Sequence, residues 1–161
     1  MTDPTHCARY LAWLDRAFGR SAARWFAYAA VTAAALVTVV YPLFVARYAP
    51  ITDLPMHATN ASILWHYTDP SFGFQEQFQL ALLGSMYWLQ MGLTVLFLFL
   101  VPIAAAAKLA TAVCFLLLPA GLAVLFAGLG KSPWLGLTGL GLVWTNISHW
   151  GFINHVAALG F

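Results

Sequence analysis

The sequence predicts an all-α, polytopic transmembrane helix bundle, and three observations carry that prediction. The 161 residues are 62% apolar and only 7% charged, against roughly a quarter charged in soluble domains. The apolar residues gather into four runs, each near the roughly 20 residues that a bilayer core demands. Four of the seven basic residues, Arg9, Arg16, Arg20 and Arg24, precede the first run, which orients the N-terminus toward the cytoplasm. A soluble domain of this size has too little interior to hide so much apolar surface, so lipid must solvate part of it.

Residues 1–25 read as an amphipathic leader helix on the cytoplasmic membrane surface. Leu11, Leu14, Phe18, Ala22 and Trp25 form one helical stripe, while Arg9, Arg16 and Arg20 fall on another. The apolar run that follows exceeds the roughly 7–15 residues of a secretory signal core, so the leader reads as an interfacial anchor, or as a lipid-sensing or partner-binding helix, and not as a signal peptide. The first span covers about 26–46. Pro42 is expected to kink it, and Arg47 with Tyr48 mark its outer interface.

Residues 49–79 are expected to form an external loop, on the periplasmic or extracellular face. It carries three of the five acidic residues, Asp53, Asp69 and Glu76. Asp53 is placed to cap a helix with Pro55 in its first turn. That helix is expected to reach about Tyr67 and stop at the turn Thr68-Asp69-Pro70-Ser71.

The second span is expected at 81–101, with Tyr87 and Trp88 as an aromatic belt. Pro102 opens the third, 102–127, where Lys108 is expected to reach the cytoplasmic surface. The fourth, 133–150, opens at Ser132-Pro133 and carries Gly136, Gly139 and Gly141, small residues that let another helix approach closely. Its topology leaves Lys131 outside, against the positive-inside bias. Residues 134–161 exceed one span, so either a fifth helix begins near Gly151 or one long helix passes the interface. The apolar end fits a chain that continues into further spans as well as one that stops.

No basic cluster interleaved with aromatics lies beyond the leader, which excludes nucleic acid as a partner. Cys7 in the leader and Cys114 within a span form no disulfide framework. Gly130-Lys131-Ser132 is not a phosphate-binding loop, because Leu125 stands where that pattern needs glycine.

The candidate chemistry lies in the external loop. Asp53, His57 and Asn60 are spaced i, i+4 and i+7 and share a helical face, with His66 about a third of a turn away. Asp53 and His57 can act as a general base with its orienting partner, or as two ligands of a divalent metal. Asn60 and His66 are the substrate-binding candidates. Asn146, Ser148, His149, Asn154 and His155 interrupt an apolar stretch. His149 and His155 are six apart and face different sides of one helix, so interhelical hydrogen bonding is their simplest role. These residues are expected near the cytoplasmic end of the fourth span, and only a break in that helix would bring them to Asp53.

Thr52-Asp53-Leu54-Pro55-Met56-His57, followed by Tyr87-Trp88, Ala107-Lys108-Leu109 and Gly151-Phe152-Ile153-Asn154, resembles bacterial membrane proteins of the GT-C glycosyltransferase type, over residues 26–161. The resemblance implies an N-terminal module of such an enzyme, a polyprenyl-phosphate sugar as donor, and Asp53 as the acidic residue that activates the acceptor or helps bind a metal. Leu54 stands where that family often has a second acidic residue. The alternative is a non-catalytic tetraspan accessory or assembly subunit of a larger membrane complex.

Overall fold

A computed structural model describes residues 22–80 and 87–160. Nearly all of the expected leader helix therefore lies outside the described residues. The chain divides into two units, residues 1–37 and 38–161. All regular structure among the described residues is helical. Two helices, α1 (Ala22–Val45) and α5 (Ile103–Gly128), are long and apolar enough to cross a membrane. Both match expected spans to within a few residues, because each is a long charge-poor run with breakers only at its ends and a single internal proline.

Within the second unit α5 is the central element. Its buried side is dominated by small residues, Ala106, Ala107, Ala110 and Ala112, with Cys114, Phe115 and Leu118 completing it. Small side chains bring neighbouring backbones close, the packing mode that suits helices in lipid. Around α5 lie α2 (Leu54–Trp65), α4 (Trp88–Leu98), a 3-10 segment (Pro133–Gly139) and a C-terminal helix (Ile153–Ala158). Two shorter helices, α3 (Phe74–Gln77) and α6 (Leu140–Val143), complete the chain to Val143. They are followed by α7 (Asn146–Trp150) and the C-terminal helix, α8.

The described helices do not confirm the expected four-span arrangement, and three findings bear on it. The helix in the second expected span, α4, has 11 described residues, about 16 Å at 1.5 Å per residue, well short of a roughly 30 Å hydrocarbon core; residues 81–86 lie outside the description. Lys108 is not at the end opposite Arg47. Its Nζ donates to the carbonyls of Ala46 at 2.8 Å and Arg47 at 3.1 Å, so α5 starts where α1 ends, and residues 48–102 leave and return at that same end.

The third finding concerns the expected fourth span, which is not one helix. It runs as the 3-10 segment, α6 and α7, breaks at Trp144-Thr145, and turns at Gly151 before α8. This broken path lies antiparallel to α5. A Cβ on Gly136 would meet Ala123 N at 2.5 Å, and one on Gly139 would meet Pro119 Cα at 2.9 Å, whereas Gly141 faces open space. Two of the three expected close-approach glycines therefore serve this contact. Trp144 then meets Phe115 edge-on at 5.2 Å, worth about 0.5–1.5 kcal/mol beyond its buried area.

At the break the chain bonds to α1. Pro42 has no N–H, so the Thr38 carbonyl one turn earlier loses its helical partner. Trp144 Nε1 donates to that carbonyl at 3.0 Å. Ser148 Oγ donates to the Val143 carbonyl, which the interrupted helix has also left over.

Candidate functional site

The turn around Gly151 returns the chain to the start of α2, so two stretches about a hundred residues apart meet. Their backbones clasp first. Thr52 N–H donates to the His149 carbonyl at 2.8 Å, and His149 Nδ1–H donates to the Pro50 carbonyl at 2.9 Å. Because a carbonyl only accepts, Nδ1 carries the proton there and Nε2 of a neutral His149 is left as an acceptor. His57, 2% exposed, donates from Nε2 to the Gly151 carbonyl at 3.1 Å, which leaves its Nδ1 as the acceptor. Its ring lies 4.8 Å from that of Tyr87.

Gly151 fits this turn for two reasons. Its φ of +104° is a left-handed conformation that L side chains adopt rarely, and a Cβ there would stand 2.6 Å from Asp53 Cβ. Asp53 holds the N-cap position of α2, with Pro55 in the first turn. The expected capping bond is not made. With φ −92° and ψ 1°, Asp53 lacks the extended backbone that turns a side chain back onto the first helical N–H groups. Its carboxylate is thus not engaged in capping, and the residue is partly exposed.

Beyond Gly151, Asn154 caps a different helix. Its Oδ1 accepts the backbone N–H of Gln90 at 3.0 Å, in the first turn of α4, where no side chain of the N-cap residue Tyr87 makes a cap bond. Gln90 is fully buried and donates from Nε2 to Thr94 Oγ1 at 3.3 Å. Two buried atoms, Gln90 Oε1 and Asn154 Nδ2, have no hydrogen-bond partner. Beside them Tyr87, Phe152, Asn154, His155 and Ala158 line a cavity of about 400 Å³.

The expected residues divide clearly. Asp53, His57, His149 and Asn154 come together. Asn60, three residues beyond His57 on α2, is exposed where His57 is buried. His66 stands apart at the far end of α2, stacked on Phe72 at 4.4 Å. Nearby, Asp69 Oδ1 accepts Ser71 Oγ at 2.7 Å and Ser71 N–H at 2.9 Å. The Ser71 hydroxyl, then its N–H, then the charge of His66 hold the Asp69 carboxyl below its usual value.

Asn146 and His155, expected to bond across helices, are both exposed. The polar group does not lie at the opposite end from Asp53, as expected, but beside it. Among the described residues no group of three His, Cys, Asp or Glu is arranged to hold a metal.

Sequence reasoning missed Gln90, Tyr87 and Gly151 as site residues. A lone amide in an apolar run is costly in lipid, and that signal at Gln90 was present in the sequence.

No family model, curated protein or solved structure matches the chain.

Proposed function

We propose that the chain is an integral membrane protein with its candidate site at the outer face, acting as the N-terminal module of a GT-C-type glycosyltransferase on a lipid-linked sugar. The observation that carries this reading is the return of residues 149–154 onto residues 50–57. It sets Asp53, with a carboxylate free of capping duty, against Gly151, the residue before Phe152 of the cavity wall. His57 faces Tyr87 of the same wall.

In this reading the Asp53 carboxylate takes the proton of an acceptor hydroxyl, and the donor is a polyprenyl-phosphate sugar. His57 positions the turn, since its Nε2–H is committed to the Gly151 carbonyl. Asn154 lines the cavity, and its Nδ2, like Gln90 Oε1, is buried without a hydrogen-bond partner. Of the glycines that could receive a partner helix in the accessory-subunit alternative, Gly136 and Gly139 are occupied by α5.

The contacts of Lys108 support one topology. With the arginine-rich leader in the cytoplasm, α1 ends outside and α5 starts outside. Lys131, just past the end of α5, then falls in the cytoplasm with the leader arginines, which removes the charge violation of the four-span scheme. Residues 133–150 run back outward and deliver the polar group to Asp53.

Two experiments test the proposal. In a chain whose native cysteines are replaced by serine, Ser132→Cys should be labelled only after permeabilisation and Ser71→Cys in intact cells. Labelling of both in intact cells overturns the topology. Asp53→Asn should insert normally and lower transfer from a polyprenyl-phosphate sugar by about a hundredfold or more. Wild-type transfer in that variant would end the catalytic assignment.

A further inference from the structure

A second pocket lies at the junction of α1, α2 and α5, away from Tyr87 and Asn154. It encloses about 180 Å³, and its wall includes Leu54, Pro55, Ala58, Ala104 and Ala107. Tyr48, Ala49 and two cations, Arg47 and Lys108, complete the lining, and no acidic side chain contributes. An apolar wall with two positive charges at its rim has the polarity of an amphiphile with an anionic head.

The state of the two cations sharpens this. Among the described residues, neither is paired with a carboxylate. The Lys108 ammonium spends two of its three N–H bonds on the Ala46 and Arg47 carbonyls, and carbonyls do not cancel its charge. It is held in place with one donor still to place, 5.6 Å from the Phe44 ring centroid. Arg47 is exposed, with its guanidinium 5.5 Å from the ring centroid of Tyr48, and a planar fork of donors suits two phosphate oxygens at once. Both residues sit at the junction of two helices long enough to cross a membrane, where lipid headgroups lie.

We propose that this pocket binds the phosphate of an anionic glycerophospholipid, with Arg47 and Lys108 on the phosphate and the first methylenes of one acyl chain against Leu54, Ala58, Ala104 and Ala107. The lipid joins the end of α1 to the starts of α2 and α5. The site rests on the membrane reading and is independent of catalysis at Asp53.

The test is native mass spectrometry of the full chain released from micelles doped with equal amounts of phosphatidylglycerol and phosphatidylcholine. The wild type should retain phosphatidylglycerol at least fivefold over phosphatidylcholine. Arg47→Gln should lose that preference while keeping the wild-type melting temperature, and Arg47→Lys should keep part of it. Lys108→Gln should lose it too, but with lower stability, so the Arg47 variant decides.

Equal retention of the two lipids, or an unchanged preference in Arg47→Gln, overturns the site. Displacement of phosphatidylglycerol by millimolar inorganic phosphate would show that phosphate alone is the ligand, and would overturn the role of the apolar wall. Flotation with neutral phosphatidylcholine vesicles separates the two readings. Failure there refutes membrane insertion itself, whereas flotation without lipid preference refutes only the pocket.

Discussion

Gly151→Ala probes the joint on which the candidate site depends. Two costs can be worked from the structure. A side chain at φ +104° is strained by about 1–2 kcal/mol. The new Cβ would also stand 2.6 Å from Asp53 Cβ, against an optimal carbon separation of roughly 3.5–4.0 Å. One of the two backbones must therefore move by about an ångström, which breaks the 3.1 Å bond from His57 to the Gly151 carbonyl. A buried N–H left without a partner costs about 1–3 kcal/mol. Together the loss is about 2–5 kcal/mol.

For a chain of this length each kcal/mol moves the melting temperature by about 2–4 °C, so a fall of about 4–20 °C is expected. The assay is thermal unfolding in detergent, followed by tryptophan fluorescence. Gly141→Ala, at a glycine facing open space, should stay near wild type. Adding Asp53→Gly to Gly151→Ala should relieve the collision and leave only the strain. A Gly151→Ala melting temperature equal to that of Gly141→Ala would refute the argument.

Three further outcomes are expected. Trp144→Phe strips the Thr38 carbonyl of its 3.0 Å donor and should cost about 1–3 kcal/mol; Pro42→Ala restores a helical N–H to that carbonyl, so a double-mutant cycle should show the cost shrinking, and strict additivity would contradict the account. Asn154→Ala removes the cap on Gln90 N–H and should cost about 0.5–2 kcal/mol, read as roughly 2- to 30-fold faster hydrogen exchange at that amide. Because Ser71 lowers the Asp69 pKa, this turn's stabilisation is fully present above the ordinary value of 3.8 and is lost only as pH falls through the lower folded value. Ser71→Ala should raise the Asp69 pKa toward that value in a carboxyl carbon NMR titration, and no movement would exclude the Ser71 cause.

What the sequence disclosed was local. The bounds of α1, α2 and α5 follow from charge-free length, from Pro55 and Pro102, and from the Asp69 turn. The broken path after Ser132 was hidden, because residues 134–145 contain no charge and no proline. Hydropathy cannot separate one apolar helix from two halves folded apart. What accompanies the break is tertiary: the Trp144 bond to the Thr38 carbonyl, to which Pro42 gives no helical N–H, and a turn at Gly151 docked against Asp53. Counting His149 and His155 as six apart assumed one continuous helix, and so turned apart groups that the turn places at one end. Lys108 misled for a related reason. A lysine near a span's start reads as an interfacial anchor, and only the contact with Ala46 and Arg47 reveals which interface it anchors.

The joint at Gly151 also has a consequence for the order in which the protein becomes complete. His57 waits for the carbonyl of a residue 94 positions later, and the first turn of α4 waits for a side chain 64 positions later. At roughly 5–20 residues per second of synthesis, His57 has existed for about 5–20 s before Gly151 is made. During that interval α2 and the 11-residue α4 have neither the clasp nor the distant cap, and a helix that short is marginal alone. Residues 149–154 thus fix a loop made long before them, and a nascent chain halted before residue 149 would carry Asp53 and His57 without the surface that arranges them.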